Sequence, residues 1–306
     1  MFADVHFLSR ERVAHAIDPG AAPRLEVAAP CELIVETHDA RGGRLKQPED
    51  VITTAPDFSQ RFPRTNPATG PVRIQGAEPG DVLTVEVLDI RLDSYGFVMV
   101  KPDMGLVRGL VNEPVAKVCP VEDGLIHFGG LRLAVRPMIG VLATAPAHEA
   151  IATAHVGPHG GNMDCNRVTV GTKVHLPVRV PGAHFYVGDI HAAMGDAEVT
   201  GSGLEIGARV HLALSLCKGG ARDWPWMETP DLWITTGSAP DYQAASEIAV
   251  REMMGLLVER LGVTAVEAFM LLSVRGDVRV NQACRSTIDT SVRVEFPKPG
   301  AGLYRG

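Results

Sequence analysis

Short runs in which apolar and polar positions alternate dominate the first two thirds of the chain. Residues 82–90 are the clearest: Val and Leu alternate with Thr, Glu and Asp, which predicts a half-buried strand. The preceding Glu78-Pro79-Gly80-Asp81 reads as a turn, Pro79 presetting φ and Gly80 taking a conformation closed to other residues. Residues 25–27, 33–36, 131–135 and 173–180 read as further strands, and the chain turns at 39–43. Pro177 must lie at an edge or bulge, because it has no N–H to donate to a ladder.

The period changes after residue 238. Ser238 or Asp241 can cap a helix running to about Leu261, with Ala245, Ile248, Ala249, Met253, Leu256, Leu257 and Leu261 on one face. Gly262 ends it. Thr264 and Glu267 form a capping box that opens a second helix to about Ser273, and residues 278–280 and 292–296 return to strands. The expected architecture is therefore mainly β, sandwich- or barrel-like, with a helical pair inserted before the last strands. Two soft units follow: a β region over 1–237 and a helical pair with closing strands over 238–306, packed together.

Composition agrees and excludes several classes. Glycine (32) and proline (22) together make about 18% of the 306 residues against a usual ~12%, which punctuates the chain into short segments. A net charge of −7 and 5% aromatic residues speak against nucleic acid as a partner. No apolar run approaches the ~20 residues of a membrane span, and the amino-terminal stretch lacks the basic and apolar regions of a leader, so a cytoplasmic protein is expected. The five cysteines (31, 119, 165, 217 and 284) form no disulfide framework or thiolate zinc site. The H-E-x-x-H, G-x-S-x-G, Walker A and G-x-G-x-x-G patterns are missing.

One block is chemically unusual. Residues 188–205 hold Asp189, Asp196, Glu198, Glu205 and His191 but no Lys or Arg, and His155, His159, Asn162 and Asp164 precede them. Uncompensated carboxylates beside an imidazole suggest a cation. In an extended chain the period of 2 would place Asp189 with His191, and Asp196 with Glu198.

The residues His159-Gly160-Gly161-Asn162-Met163-Asp164, followed by Gly188-Asp189-x-His191-Ala192-Ala193-x-Gly195-Asp196-x-Glu198, resemble the acetamidase/formamidase family of amidohydrolases. So do Val35-Glu36-x-x-Asp39-x-x-Gly42-Gly43, Asn66-Pro67-Ala68-Thr69-Gly70-Pro71 with Gly76-Ala77-Glu78-Pro79-Gly80-Asp81 (together similar to the family's central turn) and the tail from Ser273 to Gln282. The resemblance implies hydrolysis of a short primary amide to carboxylate and ammonia with a divalent metal, zinc first, and calcium as a second, structural ion. Similar proteins are commonly dimeric, so a homodimer is expected. Two residues depart from the pattern: Ala197 where the family has Gly, and Met194 where Gln is common.

Amide hydrolysis needs an activated water, a polarised carbonyl and a proton for the departing ammonia. The resemblance, joined to that chemistry, assigns Asp164, Asp189 and His191 as metal ligands, with Asp39 and Glu205 as further ones. Glu198 would accept and return the proton, with Asp196 as the second catalytic carboxylate; Asn162, His159 and Glu36 would meet the substrate. Which of Glu36, Asp39, Asp196, Glu198 and Glu205 bind metal and which move protons stays open on sequence alone. Two competing readings are a cysteine amidase using Cys165, disfavoured by the adjacent Asp164, and a non-catalytic β protein whose acidic loop holds calcium.

Overall fold

The computed structural model describes residues 4–284, 289–301 and 303. Residues 1–3 of the stretch read for a leader and 304–306 of the second unit lie outside the described residues. Strand Glu205–Cys217 runs antiparallel between Cys31–Thr37 on one side and Val82–Val100 on the other. Cys31–Thr37 alternates buried and half-buried residues along its whole length, so Leu33 and Val35 face the core while Glu32 and Glu36 face outward. There Glu36 forms a cross-strand ion pair with Arg209 of the neighbouring strand, and Glu32 lies in hydrogen-bond contact with His211.

Val82–Val100 extends well beyond the alternating stretch at 82–90. Pairing with Lys173–Pro177, Glu205–Cys217 and Val115–Glu122 carries it through the polar middle. Gly96 permits one of these approaches, since a Cβ there would lie 2.6 Å from the carbonyl oxygen of Glu205. Pro177 ends its strand opposite Val82, beyond the last residue that pairs with Trp226–Glu228, so its missing N–H breaks no ladder. Of the two segments similar to a turn, 76–81 does turn, the Ala77 N–H donating to the Ile74 carbonyl oxygen at 3.2 Å and the Asp81 N–H to that of Glu78 at 3.0 Å, whereas 66–71 turns only at its start. Ala68–Ile74 is a strand, almost wholly buried, that shows no alternation because both its faces are covered.

Among the described residues nineteen strands join into one curled, mostly antiparallel sheet. At its centre Phe185–His191 is buried throughout, flanked by Met138–Ala143 and Ala68–Ile74. The helical pair falls where expected. Tyr242–Leu261 is capped by Asp241, whose side chain accepts from the Ala244 N–H, and ends at Gly262 with φ 72°. Ala265–Arg275 opens with the Thr264–Glu267 capping box. The long helix buries Ala245, Ala249, Met253, Leu256 and Leu257 against Val292, Val294 and Phe296 of the closing strand Thr290–Pro297. Gly237 allows close packing, because a Cβ there would meet the Ala245 carbonyl oxygen at 2.5 Å. Among the described residues no helix is long and apolar enough to cross a membrane.

Candidate active site

Five ionisable side chains converge where Phe185–His191 meets the start of Glu205–Cys217. His191 pairs with Glu205 in register across the two strands. Asp164 follows strand Gly160–Asn162, Asp189 precedes His191, and Glu198 lies in the loop between the strands. Asp164, Asp189, His191, Glu198 and Glu205 are each at most 5% exposed, a depth at which a lone carboxylate is seldom found. They form two triads, Asp164–Asp189–His191 and His191–Glu198–Glu205, with the ligand atoms of each within 4.8 Å of one another. Because both share His191 they make one centre.

Neutral donors satisfy one oxygen of Asp164, Asp189 and Glu205 and leave the other free, and they engage both oxygens of Glu198. Gln282 Nε2 donates to Asp164 Oδ2 at 2.7 Å and to Glu198 Oε2 at 2.6 Å. The Gly203 N–H donates to Glu198 Oε1 at 2.9 Å, and Asn66 Nδ2 donates to Asp189 Oδ2 at 2.9 Å. Asn162 Nδ2 also donates to Asp164 Oδ2, and Ser202 Oγ donates to Glu205 Oε1 at 3.3 Å. Asp164 Oδ1, Asp189 Oδ1, Glu205 Oε2 and His191 Nε2 are buried without a hydrogen-bond partner. His191 Nε2 lies 3.1 Å from Glu205 Oε2 and 3.8 Å from Asp189 Oδ1, near in space but not in hydrogen-bond geometry. Three carboxylate oxygens and an imidazole nitrogen, unpaired and close together, match the donor set of a divalent cation.

The electrostatics point the same way. Burial pushes Asp164 well above the usual carboxylate range, and Glu198 and Asp189 push it further. Burial likewise raises Glu198 and lifts Glu205 to about 8. Burial opposes the His191 imidazolium, but Glu205 and Asp189 outweigh it and hold the ring well above its ordinary pKa. Anions crowded this way need protons or a cation among them.

The backbone is shaped for the cluster. Asp164, Asp189 and Glu198 all have positive φ, at 42°, 56° and 43°. Left-handed backbone costs roughly 1–2 kcal/mol per non-glycine residue and gathers at functional sites. Asp189 thus departs from extended geometry within its strand, so period-2 alternation is not what brings it to His191. Gly140 and Gly203 make room: a Cβ would lie 2.6 Å from Asp164 Oδ1 at the first and 2.6 Å from His191 Nδ1 at the second.

Four of the expected site residues lie elsewhere. Asp196 is exposed and accepts from Arg293 Nη2 at 2.9 Å and Asn166 Nδ2 at 2.8 Å, turned away from Glu198. Positive φ at both Ala197 (72°) and Glu198 (43°) turns the chain, so the alternation expected of an extended segment fails here. Asp39 organises its own turn, its Oδ1 accepting from the N–H groups of Arg41 at 2.8 Å and Gly43 at 3.1 Å. Glu36, on the outward face of its strand, accepts from Arg209 at 3.0 Å and is no part of the pocket wall. His159 is buried against Gly157 and Gly161, and burial lowers its pKa to about 4. His155 takes the pocket position instead. Cys165 is fully buried and its thiol is pushed up by desolvation, the reverse of an activated nucleophile.

A cavity of about 310 Å³ opens onto the cluster, with Asn66, Asn162, Glu198, Glu205 and Gln282 at its base. Gln282 and Asn66 carry no chemical signal in the sequence. Each sits inside a segment similar to the family pattern, and that context is the one clue to them.

A curled β-sheet holding a buried acid–imidazole centre at the foot of a pocket defines a class of β proteins built around a cation-ready site. The chain belongs to the Acetamidase/Formamidase family, whose sequence profile matches residues 16–156 and 147–290. An acetamidase from Bacillus halodurans superposes with a TM-score of 0.89 at 35% identity, over 95% of this chain and 97% of that one. An acetamidase from Yersinia enterocolitica superposes with a TM-score of 0.90 at 28% identity, over 98% of this chain and 94% of that one. A formamidase from Methylophilus methylotrophus is 23% identical over 63% of this chain and 61% of its own length. The chain spans between 53% and 61% of the length of the curated relatives it matches.

Proposed function

We propose that this protein is a metal-dependent amidohydrolase that converts a short-chain primary amide into carboxylate and ammonia. The observation that carries the reading is the set of four unpaired buried atoms: Asp164 Oδ1, Asp189 Oδ1, His191 Nε2 and Glu205 Oε2. These side chains would hold the cation, and a mixed imidazole and carboxylate set suits zinc or another first-row ion. When bound, such an ion polarises a carbonyl and lowers the pKa of water.

The protein's own groups then have distinct tasks. Glu198 lines the pocket, and its raised pKa suits it to take a proton from the attacking water and return it to the leaving nitrogen. Gln282 and the Gly203 N–H fix its carboxylate. Asn162 borders the cavity with one amide hydrogen on Asp164, leaving the other for the substrate carbonyl.

Ammonia release from formamide, acetamide or a close homologue, abolished by a chelator and restored by zinc, is the expected result. No ammonia from metal-loaded protein across a panel of small amides would overturn the reading. The homodimer belongs to the same proposal. Helix Ala265–Arg275 leaves Val266, Phe269, Met270 and Val274 between 59% and 82% exposed along one side. An apolar stripe of this kind suits contact with a second copy. Light scattering should return about twice 32.7 kDa, and a monomer mass would refute the dimer.

A further inference from the structure

The pocket is larger than the smallest amides require. Formamide or acetamide displaces roughly two or three waters, about 60–90 Å³ at ~30 Å³ per water. The cavity above the cluster is about 310 Å³. Its apolar wall, with Phe58, Met99 and Met104, could take the methylenes of a longer acyl chain. The rest of the wall shows what could end such a chain.

Two cations stand on that side without a counter-charge in contact. Lys101, which follows strand Val82–Val100 and lines the cavity, donates to the Met104 sulfur at 3.5 Å and lies 5.5 Å from the centre of the Phe58 ring. Arg41, 1% exposed, donates to the Thr54 carbonyl oxygen at 3.0 Å and to the sulfur of the lining residue Met99 at 3.3 Å. Among the described residues neither forms an ion pair. A thioether is a weak acceptor. Desolvation lowers Lys101 to about 8 and Arg41 to about 10, as expected for cations short of partners.

The loop carrying Lys101 is fastened to the segments that carry the acid cluster. The Gly105 N–H donates to the Cys284 carbonyl oxygen at 2.7 Å and the Leu106 N–H to the Val199 carbonyl oxygen at 2.8 Å. Met104 packs over Gly201, where a Cβ would collide with its side chain. Lys101 is therefore held in a defined place relative to Glu198 and Gln282. The cavity has an acidic base, while its wall carries two cations, Lys101 and Arg61, against one carboxylate, Asp103, which forms no ion pair with Lys101 among the described residues. Lys101, in the wall, is where the anionic end of a substrate would find a counter-charge, which leaves its amide toward Glu198 at the base.

Resting on the amidase reading above, we infer that the preferred substrate is a half-amide of a short dicarboxylic acid, whose free carboxylate is taken by Lys101. Hydrolysis would then yield the dicarboxylate and ammonia, the carboxylate at Lys101 remaining chemically unchanged.

The test compares succinamate with butyramide, a neutral amide of the same chain length, in wild type, Lys101→Met and Lys101→Arg. Wild type should favour succinamate. Lys101→Met should lower the ratio of kcat/KM for succinamate over butyramide by roughly tenfold to a hundredfold, through KM, as befits the loss of one charge-assisted contact. Lys101→Arg should recover most of that ratio. Calorimetry provides a readout independent of turnover: succinate should bind wild type and bind Lys101→Met at least about tenfold more weakly. An unchanged ratio, or equal succinate affinity in both proteins, would overturn the anion subsite. Ammonia from formamide or acetamide but from neither four-carbon amide would overturn the half-amide inference and leave the amidase reading standing; ammonia from none of the four would count against the amidase reading, and the calorimetric comparison would then decide the role of Lys101 alone.

Discussion

Glu198 differs from the other carboxylates of the cluster in that protein donors engage both of its oxygens, Gly203 on one and Gln282 on the other. That arrangement suits a proton carrier better than a ligand, whose free lone pairs must face the ion. Glu198→Gln should accordingly retain metal while turnover falls by roughly 10²–10⁴-fold. His191→Ala should lose the metal, because it removes an unpaired nitrogen that both ligand triads share. Elemental analysis beside an ammonia assay checks both. Loss of metal from Glu198→Gln, equal to that from His191→Ala, would make Glu198 a ligand and require another base.

At the level of elements, the loop over 195–203 shows how backbone conformation serves the site. Ala197 has φ 72°, its N–H donates at 2.9 Å to the Val280 carbonyl oxygen, and its own carbonyl accepts from Ala283 at 3.2 Å. The loop is thereby sewn to the strand that delivers Gln282. The left-handed turn accounts for glycine as the common residue at this place in the family pattern: a Cβ here costs roughly 1–2 kcal/mol. Ala197→Gly removes that strain but adds unfolded-chain freedom of about 0.5–1 kcal/mol. The balance is neutral to stabilising, whereas Ala→Gly in ordinary backbone lowers stability. Thermal denaturation should show no fall in Tm for Ala197→Gly; a fall as large as that of Ala249→Gly, within the long helix, would refute the account.

For the whole molecule, the acid cluster links stability to pH and metal. The folded-state pKa of Glu205 is about 8 against 4.5 for a free Glu, so the folded protein holds a proton that the unfolded chain releases first. Metal-free protein should therefore lose stability as pH rises from about 4.5 through about 8. His191, also raised, loses its contribution in the same direction as pH climbs through its folded pKa. His159 acts oppositely, being lowered to about 4 from 6.5, so its effect is complete above pH 6.5. Denaturation of chelated protein between about pH 6.5 and 8 should thus show a falling Tm. Zinc should reverse the trend, since the ion replaces the protons. A Tm that rises with pH in the chelated protein would contradict the cluster's electrostatics.

What the sequence by itself determines is whatever neighbouring residues decide. The long helix with its Asp241 cap and Gly262 stop, the Thr264–Glu267 box and the strand through 82–90 are legible because capping, turn chemistry and periodicity act within a few residues. The acidic block is legible for the same reason, as a local run of carboxylates without Lys or Arg. How that block is used was decided in three dimensions. Gln282 reaches Glu198 from 84 positions away, and Asn66 reaches Asp189 from 123. Asp196, two residues from Glu198, is diverted to Arg293, 97 positions distant. Left-handed backbone at Asp189, Ala197 and Glu198 breaks the alternation on which any local reading of facing side chains depends. Tertiary packing over-determines those residues, and that packing holds them in a conformation their own preferences oppose.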